Sequence, residues 1–132
     1  MARQKRQQKK RRINPGDVLQ IHWVTDGELR GWTHTHGMEA FGLPELELLD
    51  VPSYFVGAAQ LLLSMVADYM LNERPVAAGE RMELGPRDVV RFEVPTPLVG
   101  QEGYYRDQAV LRVVEERFEA SEQNEAAGET VH

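Results

Sequence analysis

The sequence contains no cysteine, so neither disulfides nor thiolate chemistry is open to it. That absence fits a reducing compartment, and the expected location is the cytoplasm. Nucleophilic serine chemistry is no better provided for. Of the three serines, Ser53 stands where a helix should begin, Ser64 lies inside that helix and Ser121 falls in an acidic tail. None sits in a Gly-x-Ser-x-Gly elbow. The glycines form neither a Gly-x-x-x-x-Gly-Lys phosphate loop nor a Gly-x-Gly-x-x-Gly turn. No uninterrupted apolar run reaches the roughly 20 residues that cross a bilayer. The longest stretch, 54–71, is broken by Gln60, Ser64 and Asp68. The basic N-terminus leads into no apolar segment, so it is not read as a secretory signal, and no membrane partner is expected.

What is present is enough for one globular domain: 132 residues, 42% hydrophobic and 27% charged. The net charge of −6 hides a division. Seven of the 15 basic residues (Arg3, Lys5, Arg6, Lys9, Lys10, Arg11, Arg12) crowd into the first twelve positions, leaving eight against 21 acidic residues elsewhere. Residues 1–12 hold too little apolar surface to offset ordering entropy and read as a disordered basic arm. Residues 119–132 read as a disordered acidic tail, and 13–118 as the domain.

Within the domain, Pro15-Gly16 marks an entry turn and 18–25 reads as a β-strand. Asp26-Gly27 signals a two-residue hairpin, with 29–36 returning. Residues 38–44 read as a loop or single turn, and 45–51 as a third strand. Ser53 is the expected N-cap of a long helix to Asn72. Its core stripe is read at Phe55, Ala58, Ala59, Leu62, Met65, Val66, Tyr69 and Met70, widened by Leu61, Leu63 and Leu71 towards contact on more than one side, with Pro75 barring continuation. Two short strands, 81–84 and 89–94, flank Gly85-Pro86. The segment 104–118 fits a strand or a helix, and its central valines favour a strand. The predicted architecture is α+β: a mostly antiparallel sheet of about five or six strands with one long helix packed on a face.

The closest approach to a functional motif is His34-Thr35-His36. Alternation puts both imidazoles on one strand face, with Cα atoms about 6.5–7 Å apart, within reach of a shared metal. A two-residue hairpin, however, pairs Ile21 with Trp32 and Leu19 with His34. It sends the histidines to the core side and turns His22 the other way. A catalytic zinc usually needs three protein ligands and this register supplies two histidines, so neither a bound metal nor a cofactor is expected. The preferred reading is a half-buried His34 bonded to backbone with His36 near solvent. Two others stand beside it: a metal site completed by a carboxylate, and imidazoles donating hydrogen bonds in a pocket. The pocket candidates are Trp32, His34, His36, Met38 and Phe41.

From Thr35 onward the chain resembles an uncharacterised family of bacterial domains with the pattern Thr-x-Gly-Met-x-x-Phe-Gly-x-Pro-Glu-Leu/Ile-Glu. The matching residues are Thr35, Gly37, Met38, Phe41, Gly42, Pro44, Glu45, Leu46 and Glu47, with Tyr69 and Leu71 closing the helix and Gly79 starting a hairpin. The resemblance spans about 18–114. It implies the fold and a cytosolic bacterial origin and carries no activity. In that pattern the residue before the glycine varies, so the resemblance gives His36 no required role.

With no catalytic set assembled, the reading leans away from an enzyme and towards a non-catalytic interaction or small-ligand-binding domain. One alternative is an accessory protein held to nucleic acid, or to another acidic partner, by phosphate contacts from the seven arm cations. The other is a metal-dependent hydrolase using His34 and His36.

Overall fold

The structure is a computed structural model in which residues 11–25 and 29–116 are described. Its frame is a six-stranded mixed sheet with one long helix on a face, as the composition and periodicity predict. Asn14 opens a one-turn helix, α1 (Pro15–Val18), its Oδ1 accepting from the Gly16 N–H at 3.0 Å. The expected entry turn is therefore helical, and the first strand, β1 (Gln20–Thr25), starts two residues late. β2 (Arg30–His36) and β3 (Glu45–Pro52) follow, separated by a 3₁₀ turn at Met38–Phe41. The long helix α2 (Val56–Asn72) leads to the hairpin β4 (Arg81–Gly85) and β5 (Asp88–Glu93). A short helix, α3 (Glu102–Arg106), precedes the last strand, β6 (Val110–Glu115). The ambiguous segment is thus a strand at its valine-rich centre, while its two tyrosines belong to α3.

Spatial order is β1-β2-β3-β6-β5-β4. Every pair is antiparallel except β3 with β6, which is parallel and needs the α2–β4–β5 crossover to bring the chain back. The core lies between α2 and one sheet face. Leu46, Leu48, Val90, Phe92, Leu111 and Val113 meet Ala59, Leu63, Val66, Ala67 and Met70. Each fully buried Leu, Val or Phe stabilises this layer by roughly 1.5–3 kcal/mol.

Two sequence expectations fail at α2. Ser53 does not cap it: Ser53–Phe55 form a 3₁₀ turn with no side-chain cap hydrogen bond, and Phe55 is the residue before the helix. The buried stripe keeps Ala59, Val66 and Met70 but departs from the expected one elsewhere. Leu63 and Ala67 point inward, while Phe55 and Met65 remain exposed at 37% and 39%. By length and composition Ser53–Asn72 is apolar enough to cross a membrane, although Gln60, Ser64 and Asp68 interrupt it. In this fold that segment packs on the sheet.

The basic arm lies largely outside the described residues, including Arg3, Lys5, Arg6, Lys9 and Lys10, and so does the tail 119–132. Arg11 is exposed. Arg12 is seated on α2, 2.9 Å from Asp68 and 3.5 Å from Glu73.

Candidate functional site

The sheet face turned away from α2 carries the site. Register decides which side chains share it. β1 and β2 pair as Thr25↔Gly31, Ile21↔Thr35, His22↔His34 and Gln20↔His36. The two-residue hairpin predicted Thr25↔Glu28, so the true register is displaced by three residues. An odd displacement exchanges the faces of β1 relative to β2. Ile21 and Trp23 therefore pack towards the α2 core, and His22 comes directly opposite His34. The predicted turn itself, Asp26 to Glu28, lies outside the described residues. Gly31 fits the observed closure: a Cβ there would stand 2.5 Å from the Val24 carbonyl oxygen and 2.6 Å from Trp23 Nε1.

Three imidazoles consequently converge. Ring centroids lie 4.7 Å apart for His22 and His36, 4.9 Å for His34 and His36, and 5.6 Å for His22 and His34. A donor nitrogen from each lies within 4.8 Å of the others. His22 is exposed, His36 half-buried and His34 buried. The Trp32 indole stacks on His34 with centroids 3.7 Å apart, and the Tyr104 ring from α3 meets His34 edge-on at 4.8 Å. Burial, then the neighbouring His36 and His22, lowers the His34 pKa to about 4, so its ring is neutral at physiological pH. Burial and His22 also lower His36, against an opposing pull from Glu45. His34 Nδ1 is buried and has no hydrogen-bond partner among the described residues. The preferred sequence reading, a His34 bonded to backbone, is not what this nitrogen does.

Beside the rings stand two buried carboxylates, both held by protein donors. Glu45 faces the turn after β2. Gly37, with φ +124°, directs the N–H groups of Gly37, Met38 and Glu39 at its carboxylate, at 3.1–3.2 Å. Thr35 Oγ1 donates to Glu45 at 2.7 Å and accepts from the Leu46 N–H at 2.9 Å. Glu47 accepts from Trp32 Nε1 at 3.0 Å, Arg112 Nε at 2.7 Å and the Tyr105 hydroxyl. The Tyr104 hydroxyl donates to the Thr35 carbonyl at 2.8 Å. Burial, reinforced by nearby carboxylates, pushes both tyrosine hydroxyls up, so both stay protonated donors. These bonds tie α3 across the sheet.

Between α3 and β2 lies an open cleft of about 420 Å³, walled by Trp32, His34 and His36 on one side and by Tyr104, Asp107 and Gln108 on the other. Three of the five predicted pocket residues meet there. Met38 does not: it is wholly buried in the α2 core. Phe41 does not either, standing 41% exposed on the 3₁₀ turn. Sequence reasoning missed His22, because the assumed register turned it away. It also missed Tyr104, Asp107 and Gln108, which no local pattern connects to β2.

Fold and site together define an α+β domain with a histidine-lined cleft on the open face of its sheet. The chain belongs to the family described as protein of unknown function (DUF4026), C-terminal, whose sequence model matches residues 21–96. The match takes in the three clustered histidines, Glu45 and Glu47, and stops short of α3 and β6. No curated protein and no solved structure matches the chain.

Proposed function

We propose that this domain is a non-catalytic small-ligand-binding module whose ligand sits in the cleft over Trp32, His34 and His36. The observation that carries the reading is the buried His34 Nδ1, left without a hydrogen-bond partner among the described residues at a cleft-lining position. A buried polar atom of this kind costs roughly 1–3 kcal/mol, so its retention asks for a purpose. The aromatic walls supply flat apolar area, and the imidazoles, Asp107 and Gln108 supply polar contacts, the mixture that small-molecule sites use. Binding is favoured over turnover because Glu45 and Glu47 already accept from protein donors. Neither is free to act as a general base.

The test is a screen of polar aromatic and carboxylate fragments against the ¹⁵N-labelled full chain by two-dimensional NMR. Hits should move the Trp32 indole and Gln108 amide signals and weaken in His36→Ala. Hits gathering instead in a second surface groove, lined by Arg12, Asn14, Asp68, Tyr69 and Met82, or no hits at Trp32, would remove the reading.

A further inference from the structure

We propose that His22, His34 and His36 form a binding site for a divalent transition-metal ion of the zinc type. This names the ligand class of the histidine face and rests on the reading of that face as a ligand site. His34 and His36 stand two apart on β2, and His22 faces His34 across the strand pair, so one side of the sheet presents all three rings. Imidazole nitrogen suits zinc, cobalt, nickel or copper, whereas magnesium and calcium take oxygen ligands.

Geometry sets a condition. Nitrogens about 2.0–2.1 Å from a tetrahedral ion stand about 3.4 Å from one another. The three donors lie within 4.8 Å, so the rings must draw together by up to about 1.4 Å. His34 is pinned by Trp32, 3.7 Å from its ring, and serves as the fixed ligand. His22 is exposed and His36 half-buried, so these two have room to turn inward. Glu45 and Glu47 are occupied by protein donors and do not enter the shell. Three imidazoles leave the fourth position of a tetrahedral ion to water or a small ligand.

The experiment titrates the untagged full chain with Zn²⁺ by calorimetry and with Co²⁺ by visible absorption. One ion per chain and a tetrahedral cobalt spectrum are expected. His22→Ala and His36→Ala, each shown to be folded by circular dichroism, should weaken Zn²⁺ binding at least tenfold. His132→Ala, altering the one histidine of the four outside the cluster, should bind as the parent does. His22 is exposed, so its replacement spares the core even if His34→Ala does not fold. Absence of Zn²⁺ binding, or unchanged affinity in His22→Ala and His36→Ala, overturns the site. Fragments that move Trp32 while Zn²⁺ leaves the protein unchanged would sink the metal alone. Failure of both probes would sink the ligand cleft with it.

Discussion

Gly37 and Gly42 bracket the same 3₁₀ turn yet should respond differently to a methyl group. At Gly37 an added Cβ would stand 2.5 Å from the Val18 carbonyl oxygen, on a backbone at φ +124°. At Gly42, φ is +73° and no heavy atom lies within 4 Å. Gly42→Ala should therefore cost only the left-handed penalty of about 1–2 kcal/mol. Gly37→Ala should cost more than that, with strain and backbone clash acting together. Urea unfolding of both variants measures the difference, and equal losses would contradict the close approach. His34 makes a second prediction, one of pH. Its folded pKa of about 4 lies below the ordinary 6.5, so between those values the unfolded chain takes up a proton that the folded chain refuses. Stability should therefore fall as pH drops from about 6.5 to about 4, by on the order of 2 kcal/mol once partial hydration is allowed for. His22 on β1 and His36 and Glu45 beside it set the local field, with Tyr104 and Glu47 closing the far side. Denaturation at pH 7.5 and 4.5 should show this loss shrink in His34→Gln.

At the scale of elements, the stripe on α2 separates two neighbouring leucines. Leu63 is fully buried and Leu61 is 62% exposed. Leu63→Ala should cost about 2–5 kcal/mol, while Leu61→Gln should stay within about 0.5 kcal/mol of the parent. Thermal melts of the pair distinguish the observed stripe from the one the periodicity proposed. The junction of β3 with β6 rests on a charged pair: Glu47 and Arg112 are register partners joined at 2.7 Å, with Glu47 wholly buried. Arg112→Met should cost about 3–5 kcal/mol by stranding the carboxylate, and a compensating Glu47→Leu should recover part of it. A double-mutant cycle reads the coupling directly.

Element identity was legible because it follows from composition and periodicity: β-branched and aromatic residues marked β1, alternation marked β3, and steps of three and four marked α2. Facing was not. The Asp26-Gly27 pair is a good hairpin signal, but β1 offers side chains of mixed character on both faces, so nothing in its pattern penalises a slip. Three residues of displacement moved His22 from irrelevance to the centre of the site. The run of apolar residues in α2 likewise supports more than one stripe, and only packing on the sheet, where Leu63, Val66 and Ala67 meet Leu46, Phe92 and Val113, selects among them. Of the residues around the cleft, those on β2 could be found from the chain, since they lie two apart. Tyr104 could not, because only the tertiary bond from its hydroxyl to the Thr35 carbonyl brings α3 over the strand.

At the scale of the whole molecule, the sheet is two pieces joined by its last strand. β1-β2-β3 form one piece and β4-β5 the other, and β6 fills the slot between them. A fragment covering residues 1–98 contains the family match and five of the six strands. It should nevertheless lack a cooperative transition, because both β3 and β5 lose a neighbour and Leu46 and Phe92 lose the cover of Leu111 and Val113. Amide dispersion and a melting curve, compared with those of the full chain, test this. A native-like fragment would mean that β6 contributes far less than its central place implies.

That placement has a consequence for synthesis. As the polypeptide leaves the ribosome, both half-sheets emerge with raw inner edges before the segment that welds them exists outside the tunnel. Unpaired edges invite pairing with the wrong partner. For this interval the nascent domain depends on speed of completion, or on a chaperone's shelter, to a degree that a protein closing its sheet with an early strand would escape.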